Sequence, residues 1–400
     1  MKKGKIKFYQ RFFFILICFN FLSCNFIKDK IGSYYFNKAK KIAEREEVSE
    51  IEIDRFYDYL MKALDYKKDI PKSIDLVEGV TQASLKAGYV KAYENELRFF
   101  KKYVEKNPHS WEVYLNIINI FSLKGDLYNL SNLKSDFDRE TMKDKNFKIL
   151  SFIVEVNMLY WVQSYAQISL NNDYDEMIDY LSKYCTYARE IYEIKSESDS
   201  GFLNNVSPEL IYYFNSTLSD FTTRQNSIKD NCSILEKLNK DQNFQKLVKY
   251  TIDGNRHFAK KEYTNAIIYY KAALSIDENF FDARKNLIEA EFQNLLALSL
   301  MKRNKDELVD FVYDKTQYLD EMLSEKASRL TNLPFSDNDK FISGVYALKA
   351  AMLSVLLDEN IGSDKKNKIE KSIRNLLNEA IKYDPANKMA KELISRFASK

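Results

Sequence analysis

Side chains able to perform chemistry are unevenly supplied in this 400-residue chain. Histidine occurs twice, at His109 and His257, and cysteine four times, at Cys18, Cys24, Cys185 and Cys232. They do not cluster, and a metal site needs three or four such ligands at short, characteristic spacings. No GxGxxG, GxxxxGK[ST] or GxSxG stretch occurs, so neither phosphate-cradling loops nor a nucleophile elbow is present. Carboxylates are abundant, 58 in all, and two of them across a cleft could hydrolyse a glycosidic bond. Nothing in their spacing marks such a pair. The expectation is a protein that is not an enzyme and that uses no cofactor and no metal. A cell-wall hydrolase is the least favoured alternative.

Cys185 and Cys232 stand 47 positions apart. In an oxidising compartment they could form one disulfide, and otherwise they are two buried thiols. The compartment is therefore worth reading from the N-terminus. The chain opens MKKGKIKFYQR, with five cations and no acid, and continues into the apolar run Phe12–Leu22. That run is about half the roughly 20 residues a membrane-crossing helix needs. A basic start and a short apolar stretch form the pattern of a secretory signal.

Ser23 and Cys24 follow at once, and FLSC, Phe21–Cys24, resembles the lipobox of bacterial lipoproteins, with Phe21 where Leu is usual, as in the relaxed lipoboxes of spirochaetes. The resemblance implies that residues 1–23 are removed and that Cys24 receives the lipid, palmitate included. Residues 24–35 would then form a tether. The protein would be held to a membrane of the bacterial cell envelope, on the periplasmic face or at the cell surface. An uncleaved N-terminal anchor is the alternative. The whole chain is +3, and without residues 1–23 it would carry 56 basic and 58 acidic residues. A nearly neutral body excludes nucleic acid as the expected partner, since its binders concentrate positive charge.

The elements that must position any site are helices. Only 9 Gly and 5 Pro supply turns, aromatics make up 14% and charged residues 30%, and no convincing apolar–polar alternation bounded by turn signals occurs. The most regular stretch is YTIDGNRHFAKKEYTNAIIYYKAALSIDEN, from Tyr250 to Asn279. Tyr250, Gly254, Tyr263, Ala266, Tyr270, Ala273 and Leu274 fall at the spacing of the tetratricopeptide repeat, a 34-residue helix–turn–helix, and the unit spans 247–280. Asp253 and Glu278 depart from the usual Leu and Pro. The spacing places Gly254 and Ala266 where the two helices cross and gives Tyr263 the turn.

Weaker copies resemble the same repeat. LMKAL (Leu60–Leu64), YKAAL (Tyr270–Leu274) and LNEAI (Leu377–Ile381) each end a second helix, and Phe100, Tyr103 and Pro108 precede a first helix at Trp111 with its turn at Gly125-Asp126. NDYDEMIDYLSKYC, Asn172–Cys185, reads as another second helix, after a long core helix at Phe147–Ile168. Trp111 and Trp161 read as packing residues. The fold class implied is all-α, a right-handed solenoid of degenerate tetratricopeptide-like hairpins, in which stacking supplies the core. KSESDSG, Lys195–Gly201, divides a region at 36–195 from one at 202–400. The second region holds the 247–280 repeat and a terminal repeat with its cap at 345–398. Lys38–Arg55 reads as a solvated helical stretch. Ser336–Gly344 and Glu359–Lys368 read as loops.

Arrays of this family bind peptides on a concave face. The resemblance places Asn255, Phe258, Asp282 and Asn286 on it as partner contacts. Asn255 and Asn286 match the two Asn positions of the subclass that grips a C-terminal carboxylate, but Thr251 stands where that subclass has Lys. The expected role is a membrane-anchored scaffold or adaptor that binds another envelope protein or peptide. The alternative is a surface-exposed lipoprotein that binds external or host ligands.

Overall fold

Apolar residues spaced three and four apart recur along most of the chain, and such a stripe folds as a helix that must bury one face. The computed structural model describes residues 26–45, 47–67, 70, 72–198, 203–300, 305–324, 333–358 and 362–398. The leader, with Cys24, lies outside them. The described residues form seventeen α-helices and no strand. Consecutive helices pair as hairpins, and alternate helices touch as well, for instance 50–66 with 92–106, and 242–259 with 281–300. Each hairpin thus buries against the next a face it could not bury alone. The architecture is an all-α stack of helical hairpins.

The chain divides into two compact units. The first takes the residues up to Met158 together with Lys195–Leu218. It contains α1 (26–43), α2 (Glu50–Tyr66), α3 (Ser73–Lys86), α4 (Ala92–Lys106), α5 (Trp111–Leu123), α6 (Leu127–Glu140), the start of α7 (Asn146–Ser169) and most of α9 (Pro208–Thr223). LMKAL closes α2 with Leu60, Ala63 and Leu64 fully buried. Gly125 takes a positive φ of 63° in the turn, and Asp126 then caps α6 by accepting from the Asn129 amide. Asp54 joins α2 to α4 by accepting from Tyr89, Lys91 and Asn95 at 2.7–2.9 Å. In α7 nearly every apolar residue from Phe147 to Met158 is buried, and Phe152 packs on Phe214 of α9. No helix among the described residues is long and apolar enough to cross a membrane.

The second unit takes Leu159–Ile194 and the residues from Ser219 onward. It contains the remainder of α7, most of α8 (Tyr174–Ser198), the end of α9, α10 (Gln225–Lys240), α11 (Gln242–Ala259), α12 (Tyr263–Leu274), α13 (Phe281–Leu300), α14 (Lys305–Ser324), α15 (Asn338–Val355), α16 (Ser363–Tyr383) and α17 (Lys388–Ala398). Cys185 of α8 and Cys232 of α10 form a disulfide, with Cα atoms 5.6 Å apart. Nearby, Asn231 accepts from the Phe335 amide at 2.7 Å, and the Phe335 ring stands edge-on to Tyr184. Helices α13–α17 share one large core.

Three local expectations need correction. Lys38–Arg55 is not one helix: α1 ends at 43 and α2 starts at Glu50. Ser49 and Glu52 form a reciprocal capping box there, so the break is built into the charged run. Ser336–Gly344 is mostly helix, because Asp337 caps α15 by accepting from the amides of Asp339 and Lys340. Its polar residues are a first turn, not a loop. Glu359–Lys368 is helical from Ser363 onward, where α16 starts. Gly254 lies against the ring of Tyr270, with which a β-carbon there would collide.

Candidate functional site

The hairpin α11–α12 and the following α13 enclose the best-defined polar site of the second unit. Asp241 accepts from the amides of Asn243 and Phe244, which starts α11. The helix closes at Ala259, and Lys261 turns the chain at a φ of 62°. Tyr263 opens α12 with its ring 5.5 Å from Phe258. Gly254 leaves room for Tyr270 to lie across α11, so the Tyr270 hydroxyl reaches Asn255.

Asn255 is the hub. Its Nδ2 donates to the Leu170 carbonyl at 3.0 Å. Its Oδ1 accepts from the Tyr270 hydroxyl and from Asn286 Nδ2, both at 2.9 Å. Asn286 Oδ1 in turn accepts from Lys285 Nζ at 3.1 Å, and Lys285 pairs with Glu289 at 3.0 Å. Burial pushes the Tyr270 hydroxyl far above its ordinary range, so it stays a neutral donor. The chain of bonds surrounds a cavity of about 210 Å³, also lined by Asn171, Phe258 and Ala259.

Three of the four expected contact residues, Asn255, Phe258 and Asn286, therefore meet at one cavity. Asp282 is buried in the first turn of α13 and is not among the residues lining it. Thr251 is fully buried and donates to the Leu247 carbonyl at 2.9 Å, so it contributes nothing to the cavity. The cation there is Lys285, largely neutralised by Glu289. Repeat spacing pointed to neither residue, and the only signal for them was their i,i+4 spacing on α13. Cys24 lies outside the described residues.

Neither histidine is among the residues lining this cavity. His109 Nδ1 is 3.5 Å from Asp144, and His257 Nδ1 is 2.5 Å from Glu262, whose carboxyl is lowered first by that hydrogen bond. Among the described residues no three His, Cys, Asp or Glu side chains are grouped to hold a metal ion.

No family model matches this chain, and no curated protein matches it. Among solved structures, a chain from the crystal structure of the APC/C hetero-tetramer Cut9-Hcn1 aligns over 87% of this protein at 16% identity, with a TM-score of 0.24. The alignment covers 63% of that chain, so this protein spans under two thirds of its length. The hairpin architecture described above rests on this chain's own helix packing.

Proposed function

We propose that this protein is a lipid-anchored scaffold or adaptor of the bacterial cell envelope. It holds another envelope protein or peptide against its stacked hairpins and is held to the membrane through Cys24. The observation that carries the binding role is the cavity at α11–α13, where amide groups and a Lys–Glu pair lie beside the half-buried Phe258 ring. Such a surface can meet both a backbone and an apolar side chain of a partner. The Cys185–Cys232 pairing supports the location, since structural disulfides persist mainly in oxidising compartments.

The test is affinity purification from detergent-solubilised membranes, followed by mass spectrometry, with the wild-type chain and with Phe258→Ala and Lys285→Glu variants. One or more envelope proteins should co-purify with the wild type and fall about tenfold in each variant, as loss of a central contact does. Recovery of the same proteins in the same amounts from all three would remove this face from the binding role.

A further inference from the structure

A wider concavity lies within the first unit. It is a cleft of about 650 Å³ lined by residues of α4, α5, α6 and the start of α7. Its floor is aromatic: Tyr114 stands edge-on to Phe137 at 5.4 Å and to Phe147 at 5.7 Å. Trp111 supports that floor from behind, 5.4 Å from Phe147. The rim is acidic. Glu105, Asp136, Glu140 and Asp144 line it, against the ammonium groups of Lys101 and Lys143.

The rim charges do not cancel. Glu140 holds Lys143 at 2.9 Å, which uses up one of the two cations, and Asp136 pairs with Arg139 outside the lining. Asp144 accepts from the backbone and side-chain nitrogens of Asn146 and stands 3.5 Å from His109 Nδ1. Glu105 carries no ion pair among the described residues. Burial, with the Glu140 charge adding to it, raises the Tyr114 hydroxyl above its ordinary range, so a carboxylate bears directly on the floor.

We infer that this cleft docks a basic, apolar peptide segment of a partner protein, with a Lys or Arg head over the Tyr114–Phe147 rings and between the rim carboxylates. Aromatic faces attract cations, and surrounding acids add to that attraction. The cleft lies well inside the size range of ligand pockets. A lone small ammonium ion would leave most of the apolar floor in contact with water, so the occupant is a chain with apolar side chains beside its cation. The Asn255 cavity plays no part, and either site can fail without the other.

Fluorescence anisotropy on the full chain tests this, with a fluorescein-labelled 12-residue peptide of Lys and Leu and a counterpart in which Glu replaces Lys. The Lys peptide should bind about tenfold more tightly, and added salt should narrow the gap. Glu105→Lys combined with Asp136→Lys should reverse the preference. Both side chains are exposed, so the fold should survive, which circular dichroism checks. Glu105→Gln, which adds no charge, should weaken the Lys peptide about twofold. Leu133→Ser, on the cleft wall, should weaken both peptides. Equal binding of the two peptides, or a preference untouched by the double reversal, would overturn the proposal.

Discussion

Glu96 projects from α4 toward Thr81 and Glu78 with only 5% of its surface exposed, in a helix otherwise occupied with packing Phe99 and Phe100. Burial pushes its carboxyl up to about 7; the Thr81 hydroxyl pulls it partly back, and the Glu78 charge adds to the rise. The consequence for stability has a definite sign. Below about pH 4.5 the group is protonated whether the chain is folded or not, and it contributes no pH dependence. Between about 4.5 and 7 the unfolded chain releases the proton and the folded one keeps it, so stability falls as pH rises. Above about 7 the loss is complete, on the order of 3 kcal/mol. Glu96→Gln should therefore melt higher than wild type at pH 8 and about equally at pH 4.5. A melting difference that is the same at both values would show that Glu96 is already ionised in the native protein.

At the scale of elements, the hairpin α11–α12 and α13 form the part of the fold most open to test. Ala266 is fully buried in a cluster with Tyr270 and Ala290, bounded by Phe258, Ile267 and Leu287. Ala266→Leu inserts three heavy atoms where no space exists, and overpacking of this kind costs about 1–3 kcal/mol. Contacts here are mostly between neighbouring helices, so hydrogen exchange should quicken across α11–α13 and leave α2–α5 unchanged. Equal quickening throughout would mean that the chain opens as one cooperative body. The helices themselves were legible in the sequence because their apolar stripes are strong: YKAAL and LNEAI both bury the large residue three before an alanine, Tyr270 before Ala273 and Leu377 before Ala380. Gly254 was legible as a close approach, but what approaches it was not. A repeat pattern records that a position is small, whereas the filling of that space by a Tyr270 ring depends on a rotamer and on Asn255 being there to take its hydroxyl. The same limit hid the break at Ser49 and the start of α15 at Asp337, where a capping residue inside a charged run outweighed the run's uniform appearance. At the candidate site the resemblance set Asn255 and Asn286 on one face, but that they bond each other, with Lys285 and Glu289 beside them, became visible only once α13 was set against α11.

At the scale of the whole molecule, the proposed function requires that something keep the chain at a membrane. The described helices offer nothing that could span a bilayer, and the body after residue 23 is nearly neutral, so attraction to anionic lipid headgroups is weak. Under the proposed function attachment then falls to lipid on Cys24. Each buried methylene contributes about 0.8 kcal/mol, and one acyl chain binds only reversibly, whereas two or more hold firmly. Cys24→Ser should accordingly move the protein from the membrane fraction to the soluble fraction and abolish incorporation of a clickable fatty-acid analogue. The disulfide supplies an internal control for export. In a chain that has crossed the inner membrane, Cys185 and Cys232 should resist maleimide labelling until a reductant is added, because they are joined. A chain expressed without residues 1–23 should remain in a reducing compartment and label at both positions without reductant. Cys24→Ser that is soluble but still disulfide-bonded would separate anchoring from export and support both steps. Continued fatty-acid labelling of Cys24→Ser would place the lipid elsewhere, and a Cys24→Ser chain still pelleting with membranes without label would assign attachment to the uncleaved leader.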